Sequence, residues 1–257
     1  MATRKSKHRN QAAGEHRLPL RIVPLHSVRL TQATASPELT YRDGPLLTNV
    51  EVFTIFWGAT WQESNSSLLT HMNDFFDFVL TSKLMDQLAE YNVAGKTIAH
   101  GRRTGSITLT NSEPGKSVSD ATIQKMIQTE ITSGAVPANT PNSLYFVFLP
   151  PGTQVEQGSA KSCQTFCGYH DATSGNIYYA VMPYPGCAGC EGGLAIPDAL
   201  TSTSSHELCE AITDPVPGSG WYDDANGEIG DICAWKTKTL GKFVVQLEWS
   251  NAADACV

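Results

Sequence analysis

The sequence predicts a single α+β domain built on a mixed β-sheet, and three observations carry that prediction. Runs rich in β-branched and aromatic residues are interleaved with stretches whose apolar residues recur every three or four positions. One short helical stretch carries His206-Glu207-Leu208-Cys209-Glu210, and an acidic segment ending in Asp231 follows it. No internal repeat or low-complexity tract divides the 257 residues, and a 41% hydrophobic content is enough for one sizeable core.

Taken in order, residues 1–40 are expected to be a basic arm, either disordered or a removable pro-segment with Leu18 to Leu30 lying over the body; residues 41–257 form the domain. Residues 1–30 hold seven Lys or Arg against one Glu, whereas the remainder holds 11 basic against 24 acidic residues, so the body is acidic. Arg4, Lys5, Lys7 and Arg9 lack interleaved aromatics, and no nucleic-acid partner is expected of so weak a patch. The same run has the character of a signal n-region, but no apolar stretch follows it, so it is not a recognisable signal peptide. No apolar run approaches the roughly 20 residues needed to cross a bilayer, which argues against an integral membrane segment.

Val50 to Trp61 reads as a core strand. Asn65-Ser66-Ser67 then caps one long helical pattern through Leu68, Met72, Phe75, Phe76, Val79, Leu84 and Leu88, ending near Asn92. After a short strand at Ile107 to Thr110, Ser119 to Thr132 repeats Ile123, Ile127 and Ile131 every four residues, a core stripe of a second helix. Leu144 to Leu149 and Asn176 to Met182 are strands closed by the turns Pro150-Pro151-Gly152 and Pro183-Tyr184-Pro185-Gly186. For the last helix, Asp198, Thr201 and Ser202 are candidate N-caps, Leu208 and Ile212 form an apolar pair, and Asp214-Pro215 is the stop signal.

The chemistry sits on that helix. Residues four apart share a face, so His206 and Glu210 can offer a nitrogen and an oxygen to one metal ion while Glu207 points to its open side. That geometry resembles a zincin, with Glu210 where the familiar motif has its second histidine. Zinc accepts both donor types, and a third protein ligand is expected from Asp231 or Glu228, three apart downstream, with Asp231 preferred and the other orienting His206. Another transition metal fits such ligands too, and a calcium loop on Asp224, Asn226 and Glu228 is an alternative. One neutral His and two carboxylates neutralise a divalent ion and leave it a weak Lewis acid, so Glu207 as general base gains importance. The expected enzyme is a zinc metallopeptidase that hydrolyses peptide bonds through a metal-bound water, with Tyr222 as oxyanion candidate. An extended peptide or protein substrate is expected to add to an edge strand ahead of the metal helix, for which Asn176 to Met182 is the candidate.

Three further stretches carry a family resemblance. Tyr41-Arg42-Asp43-Gly44-Pro45-Leu46-Leu47-Thr48 running into Val52 to Trp61, Gly115-Lys116-Ser117-Val118-Ser119-Asp120, and Phe166-Cys167-Gly168-Tyr169-His170 resemble the plant EXORDIUM-like, or phosphate-induced, protein family over roughly residues 41 to 235. Those plant proteins are secreted, linked to growth control, and differ where His206, Glu207 and Glu210 stand here. The resemblance implies fold and export, and a microbial-type catalytic relative; its rival reading is a non-catalytic extracellular signalling or binding protein with a structural metal. Seven cysteines all fall between Cys163 and Cys256. Disulfides in a secreted or extracytoplasmic protein are favoured over a zinc knuckle on Cys163, Cys167, Cys187 and Cys190. Cys209 is expected as a buried thiol or a bridge to Cys256 or Cys233, and His170 as a structural hydrogen-bonder.

Overall fold

The computed structural model describes residues 22–26 and 36–257. The basic run Met1 to Asn10 lies outside the described residues, as does most of Leu18 to Leu30. A six-stranded mixed sheet organises the chain. Its strands are β1 (Ile22–Pro24), β2 (Glu51–Trp57), β3 (Arg102–Leu109), β4 (Ser143–Phe148), β5 (Phe166–Ala172) and β6 (Tyr178–Met182), in spatial order β1-β5-β6-β4-β2-β3. The last four in that order are mutually parallel, whereas β5 runs antiparallel to β6, and β1 antiparallel to β5.

Strands β4 and β6 are buried along their whole length, which explains their nearly continuous apolar runs: helices cover both sheet faces. Phe53, Ile55, Tyr145, Val147 and Tyr179 pack against Ile123 and Ile127 of α2 (Asp120–Ser133). Val52, Phe56, Leu144, Phe146 and Ala180 pack on the opposite face with α1 (Ser66–Val79) and α3 (Ile196–Thr213). The architecture is therefore mixed α/β, with a mixed sheet between helical layers.

Local chemistry sets several boundaries away from the sequence reading. The pattern through Leu88 is not one helix: α1 stops at Val79, and Ser82 caps a five-residue helix, Lys83–Gln87, by accepting from the Leu84 amide at 3.2 Å. A tight 3-10 turn, Leu88–Tyr91, completes the stretch. Asn176 is left-handed with φ 56° and belongs to the turn before β6, not to the strand. Ser119 caps α2 through the Thr122 amide, and Gly134 in the left-handed region ends it.

Helix α3 departs most from an amphipathic surface helix. It begins at Ile196 with Pro197 in its first turn, ahead of the expected caps, and every residue from Ala199 to Thr213 is buried. It lies among α1, β5, β6 and the hairpin of β7 (Thr237–Leu240) and β8 (Phe243–Gln246). Small residues make that enclosure feasible. Thr201 donates to the Val244 carbonyl at 2.7 Å, Ser205 accepts from the Gln246 amide at 2.9 Å, and a Cβ on Gly168 would stand 2.7 Å from Thr203.

The expected edge strand is also displaced. Tyr178–Met182 is interior, between β4 and β5; the strand nearest α3 on the outer side is Phe166–Ala172, whose free side is taken by Ile22–Pro24 of the N-terminal arm. Ile22 faces Tyr169, Val23 faces Gly168, and Trp235 donates to the Pro24 carbonyl at 2.9 Å.

Disulfides join Cys163 to Cys187, Cys167 to Cys190 and Cys233 to Cys256. All four candidate knuckle sulfurs are thereby consumed, which removes the zinc-knuckle alternative. Cys209 is a buried free thiol, because Cys233 and Cys256 partner each other. Three disulfides are the usage of an oxidising environment. Among the described residues no helix is long and apolar enough to cross a membrane.

Candidate metal centre

His206, Glu207 and Glu210 project from the middle of α3, where 3.6 residues per turn bring His206 and Glu210 into register: His206 Nε2 lies 2.9 Å from Glu210 Oε1. Asp231 enters from the 3-10 turn Asp231–Cys233, its Oδ1 4.0 Å from His206 Nε2 and its amide donating to Glu210 Oε1 at 3.1 Å. His206, Glu210 and Asp231 thus place one donor atom each within 4.8 Å of one another. Gly230 lets that turn press on the histidine, since a Cβ there would lie 2.7 Å from His206 Nδ1.

Glu228 does not share their group, nor does it orient His206. It lies across the cluster, its Oε1 3.5 Å from His170 Nε2. Orientation of His206 falls to Gln246, which was not singled out from the sequence; its Nε2 is 2.8 Å from His206 Nδ1 and 2.9 Å from the Gly230 carbonyl. The Gln246 Oε1 accepts from the Trp235 amide, which holds the amide group in this sense. When His206 is neutral, that arrangement has Nδ1 accept and the ring proton on Nε2 facing Glu210. Cation binding at Nε2 must displace or relocate that proton.

His170 of β5 is more than a structural hydrogen-bonder in position. Its Nδ1 is 3.0 Å from Glu207 Oε2 and 3.4 Å from Glu210 Oε2, and its Nε2 is 3.2 Å from the Asp214 carbonyl. Asp214 itself is matched, accepting from the amides of Gly218, Ser219 and Gly220.

The calcium alternative does not assemble: Asp224 turns outward to Arg42 at 2.8 Å with its side chain 90% exposed, while Glu228 turns inward. Tyr222 lies in a two-residue ladder, Trp221–Tyr222 on Thr40–Tyr41, with the Arg42 guanidinium 4.6 Å above its ring. That packing accounts for its burial.

Burial governs the electrostatics. His170, His206, Glu207, Glu210, Glu228 and Asp231 are at most 3% exposed. Glu207 Oε1 and Glu228 Oε2 have no hydrogen-bond partner, and His206 Nε2, Glu210 Oε2 and Glu228 Oε1 lack a well-formed hydrogen bond beyond their His–carboxylate contacts at 2.9, 3.4 and 3.5 Å. Groups this deep are expensive to leave unpaired, so the carboxylates require facing positive charge, which protonated histidines or a cation can supply. Burial pushes Glu207, Glu228 and Asp231 above the usual carboxylate range, with His170 partly offsetting it for Glu207 and Glu228 and His206 for Asp231. For Glu210 burial also acts upward, but the two histidines outweigh it and hold the carboxyl down to about 2. Burial lowers both histidines, yet the facing carboxylates, Glu228 foremost for His170 and Glu210 for His206, raise them well above the ordinary value.

These donors fit a divalent cation: two imidazoles and several carboxylates are the set that zinc, manganese or iron accepts. No protein-family model and no curated protein matches the chain. A solved structure described as "Structure of a chaperone-substrate complex" is 15% identical, covering 72% of this chain and 28% of that one, with a TM-score of 0.33. This chain therefore spans under a third of that chain's length, and so low a score supports no argument about fold or function.

Proposed function

We propose that the chain is a metal-dependent hydrolase of the zincin type that cleaves peptide bonds, with a divalent ion, zinc by preference, held by His206, Glu210 and Asp231. The observation that carries this reading is the convergence of those three side chains, wholly or almost wholly buried, with His206 Nε2 in contact with carboxylates alone. When bound, the ion supplies a Lewis acid that polarises a carbonyl and acidifies water. Glu207 takes the proton of the attacking water and returns it to the amine as the C–N bond breaks. Burial raises the Glu207 pKa, which suits a base that must also release its proton, and His170 at 3.0 Å holds the carboxylate. Tyr222 is retained only as the oxyanion partner nearest in sequence.

The peptide is proposed to lie along β5 rather than β6. Support comes from Ile22–Pro24, an extended segment that already pairs antiparallel with that edge. The three disulfides favour an exported protein, and an EXORDIUM-like relationship remains part of the proposal. Glu207→Gln keeps size and polarity while removing the base. It should lower chelator-sensitive cleavage of a peptide library by at least about a hundredfold, with metal content close to the parent's by elemental analysis. Equal cleavage by the variant would discard the mechanism.

A second reading has its own observation. None of the six clustered histidines and carboxylates exceeds 3% exposure, as expected of a structural ion in a non-catalytic extracellular binding protein. A parent that holds metal yet cleaves no peptide would select it.

A further inference from the structure

We infer that the cluster is built for two cations, the second held by His170, Glu210 and Glu228, with Glu210 bridging both. The inference deepens the proposed metal site and rests on that reading of His206, Glu210 and Asp231. Glu210 presents its two oxygens in different directions: Oε1 to His206 at 2.9 Å and Oε2 to His170 at 3.4 Å. On the far side, Glu228 Oε1 stands 3.5 Å from His170 Nε2, and one donor atom from each of His170, Glu210 and Glu228 lies within 4.8 Å of the others. These two contacts use opposite nitrogens of His170, Nδ1 toward Glu210 and Nε2 toward Glu228, and one ion takes only one of them; donors about a tetrahedral zinc at bond lengths near 2 Å stand about 3.3 Å apart, so the three donors, within 4.8 Å of one another, must draw together on binding.

The unpartnered atoms point the same way. Both Glu228 oxygens and Glu210 Oε2 are fully buried without a well-formed hydrogen bond, Glu228 Oε1 and Glu210 Oε2 lying 3.5 and 3.4 Å from His170. A single ion on His206 and Asp231 leaves the Glu228 pair unmet, because Glu228 faces His170 and not His206.

Charge decides between one ion and two. Four carboxylates, Glu207, Glu210, Glu228 and Asp231, face the two histidines, and all six side chains are buried. Two further buried carboxylates add to this charge: Asp214, which accepts from three backbone amides, also interacts with Glu228, and Glu248 lies in the field of His206 and Glu210. With neutral imidazoles, one divalent ion leaves at least two uncompensated negative charges, whereas two ions balance the four carboxylates that face the histidines, with Asp214 and Glu248 adding further negative charge. Two-metal sites with a bridging carboxylate hold ions roughly 3.5–4 Å apart, a span one glutamate covers with its two oxygens. The competing source of positive charge is His170 itself as an imidazolium.

The test uses the full chain, stripped with a chelator, reloaded with zinc and measured by elemental analysis, then reloaded with manganese for electron paramagnetic resonance. The parent should hold two ions per chain, and its manganese form should show an exchange-coupled signal. His170→Asn and Glu228→Gln should each retain one ion and lose the coupling; His206→Asn should also retain one, and Glu210→Gln should lose most of both. Thermal melts check that each variant folds, and the parent's stoichiometry and coupling decide the matter without any variant. One ion in the parent, unaffected by His170→Asn and Glu228→Gln, overturns the second site and leaves the first standing. One ion lost in His170→Asn but kept in His206→Asn overturns the reading of the first site. Two uncoupled ions overturn the Glu210 bridge, and a parent that binds none overturns both.

Discussion

Glu207 and Glu210 sit three residues apart on one buried helix, yet their carboxyls shift in opposite directions because Glu210 faces both histidines and Glu207 mainly one. Glu228 and Asp231 are raised above ordinary values of 4.5 and 3.8, so the folded chain keeps protons that the unfolded chain has already released. Stability from such groups is present below those ordinary values and lost as pH rises through the folded pKa. His170 and His206, raised above 6.5, act in the same direction at higher pH, whereas Glu210, lowered to about 2, opposes only under acid conditions. The melting temperature of cation-free protein should therefore fall between roughly pH 5 and 8, and zinc should reverse the fall; calorimetry that finds a flat or rising profile contradicts this. Gly230 offers a steric test free of backbone strain, since its φ is −80°. Gly230→Ala drives a methyl against the His206 ring and should weaken zinc affinity at least about tenfold, as losses of supporting contacts commonly do. Titration against a competing chelator measures it, and unchanged affinity would mean the ring is free to move aside.

At the level of elements, β5 connects the site to the N-terminal arm. Its inner face carries Gly168 and His170, and its outer edge holds Ile22–Pro24. Val23, 2% exposed, packs with Cys167 and Cys190. Val23→Asp puts an unpaired carboxylate there and should detach the segment. Hydrogen exchange at the Phe166–Tyr169 amides should then speed up by about tenfold or more; unaltered protection would show that the strand contributes nothing to the edge. Of this element the sequence displayed little. Phe166 to His170 lacks strict alternation and holds a glycine and a cysteine, so its strand character depends on β6 beside it. The stripe Ile123, Ile127 and Ile131 was legible, because α2 packs one face on the sheet. Helix α3 obscured its own length: enclosed on every side, it needs small polar residues rather than an apolar stripe.

Across the whole molecule, the Cys233–Cys256 disulfide links the site to the C-terminus, as Cys233 ends the 3-10 turn begun by Asp231. Replacing both cysteines by serine should cost about 3 kcal/mol from the released loop and lower zinc affinity with it. Denaturant unfolding and zinc titration test the two effects, and loss of stability with affinity intact would separate the turn from the site. The sequence by itself determined what local spacing can encode: His206 with Glu210 four apart, Glu207 between them, Asp231 and Glu228 three apart, the stop at Asp214-Pro215, and cysteines too clustered to be incidental. Only the tertiary structure decided that Asp231 and Glu228 serve different histidines, that Gln246 orients His206, and that His170 faces Glu207. His170 lies 37 residues from Glu207, and Gln246 lies 40 from His206. Helical periodicity brings together residues three or four positions apart, whereas strand pairing and the packing of a hairpin on a helix join distant segments through hydrogen bonds and burial that no short-range pattern records.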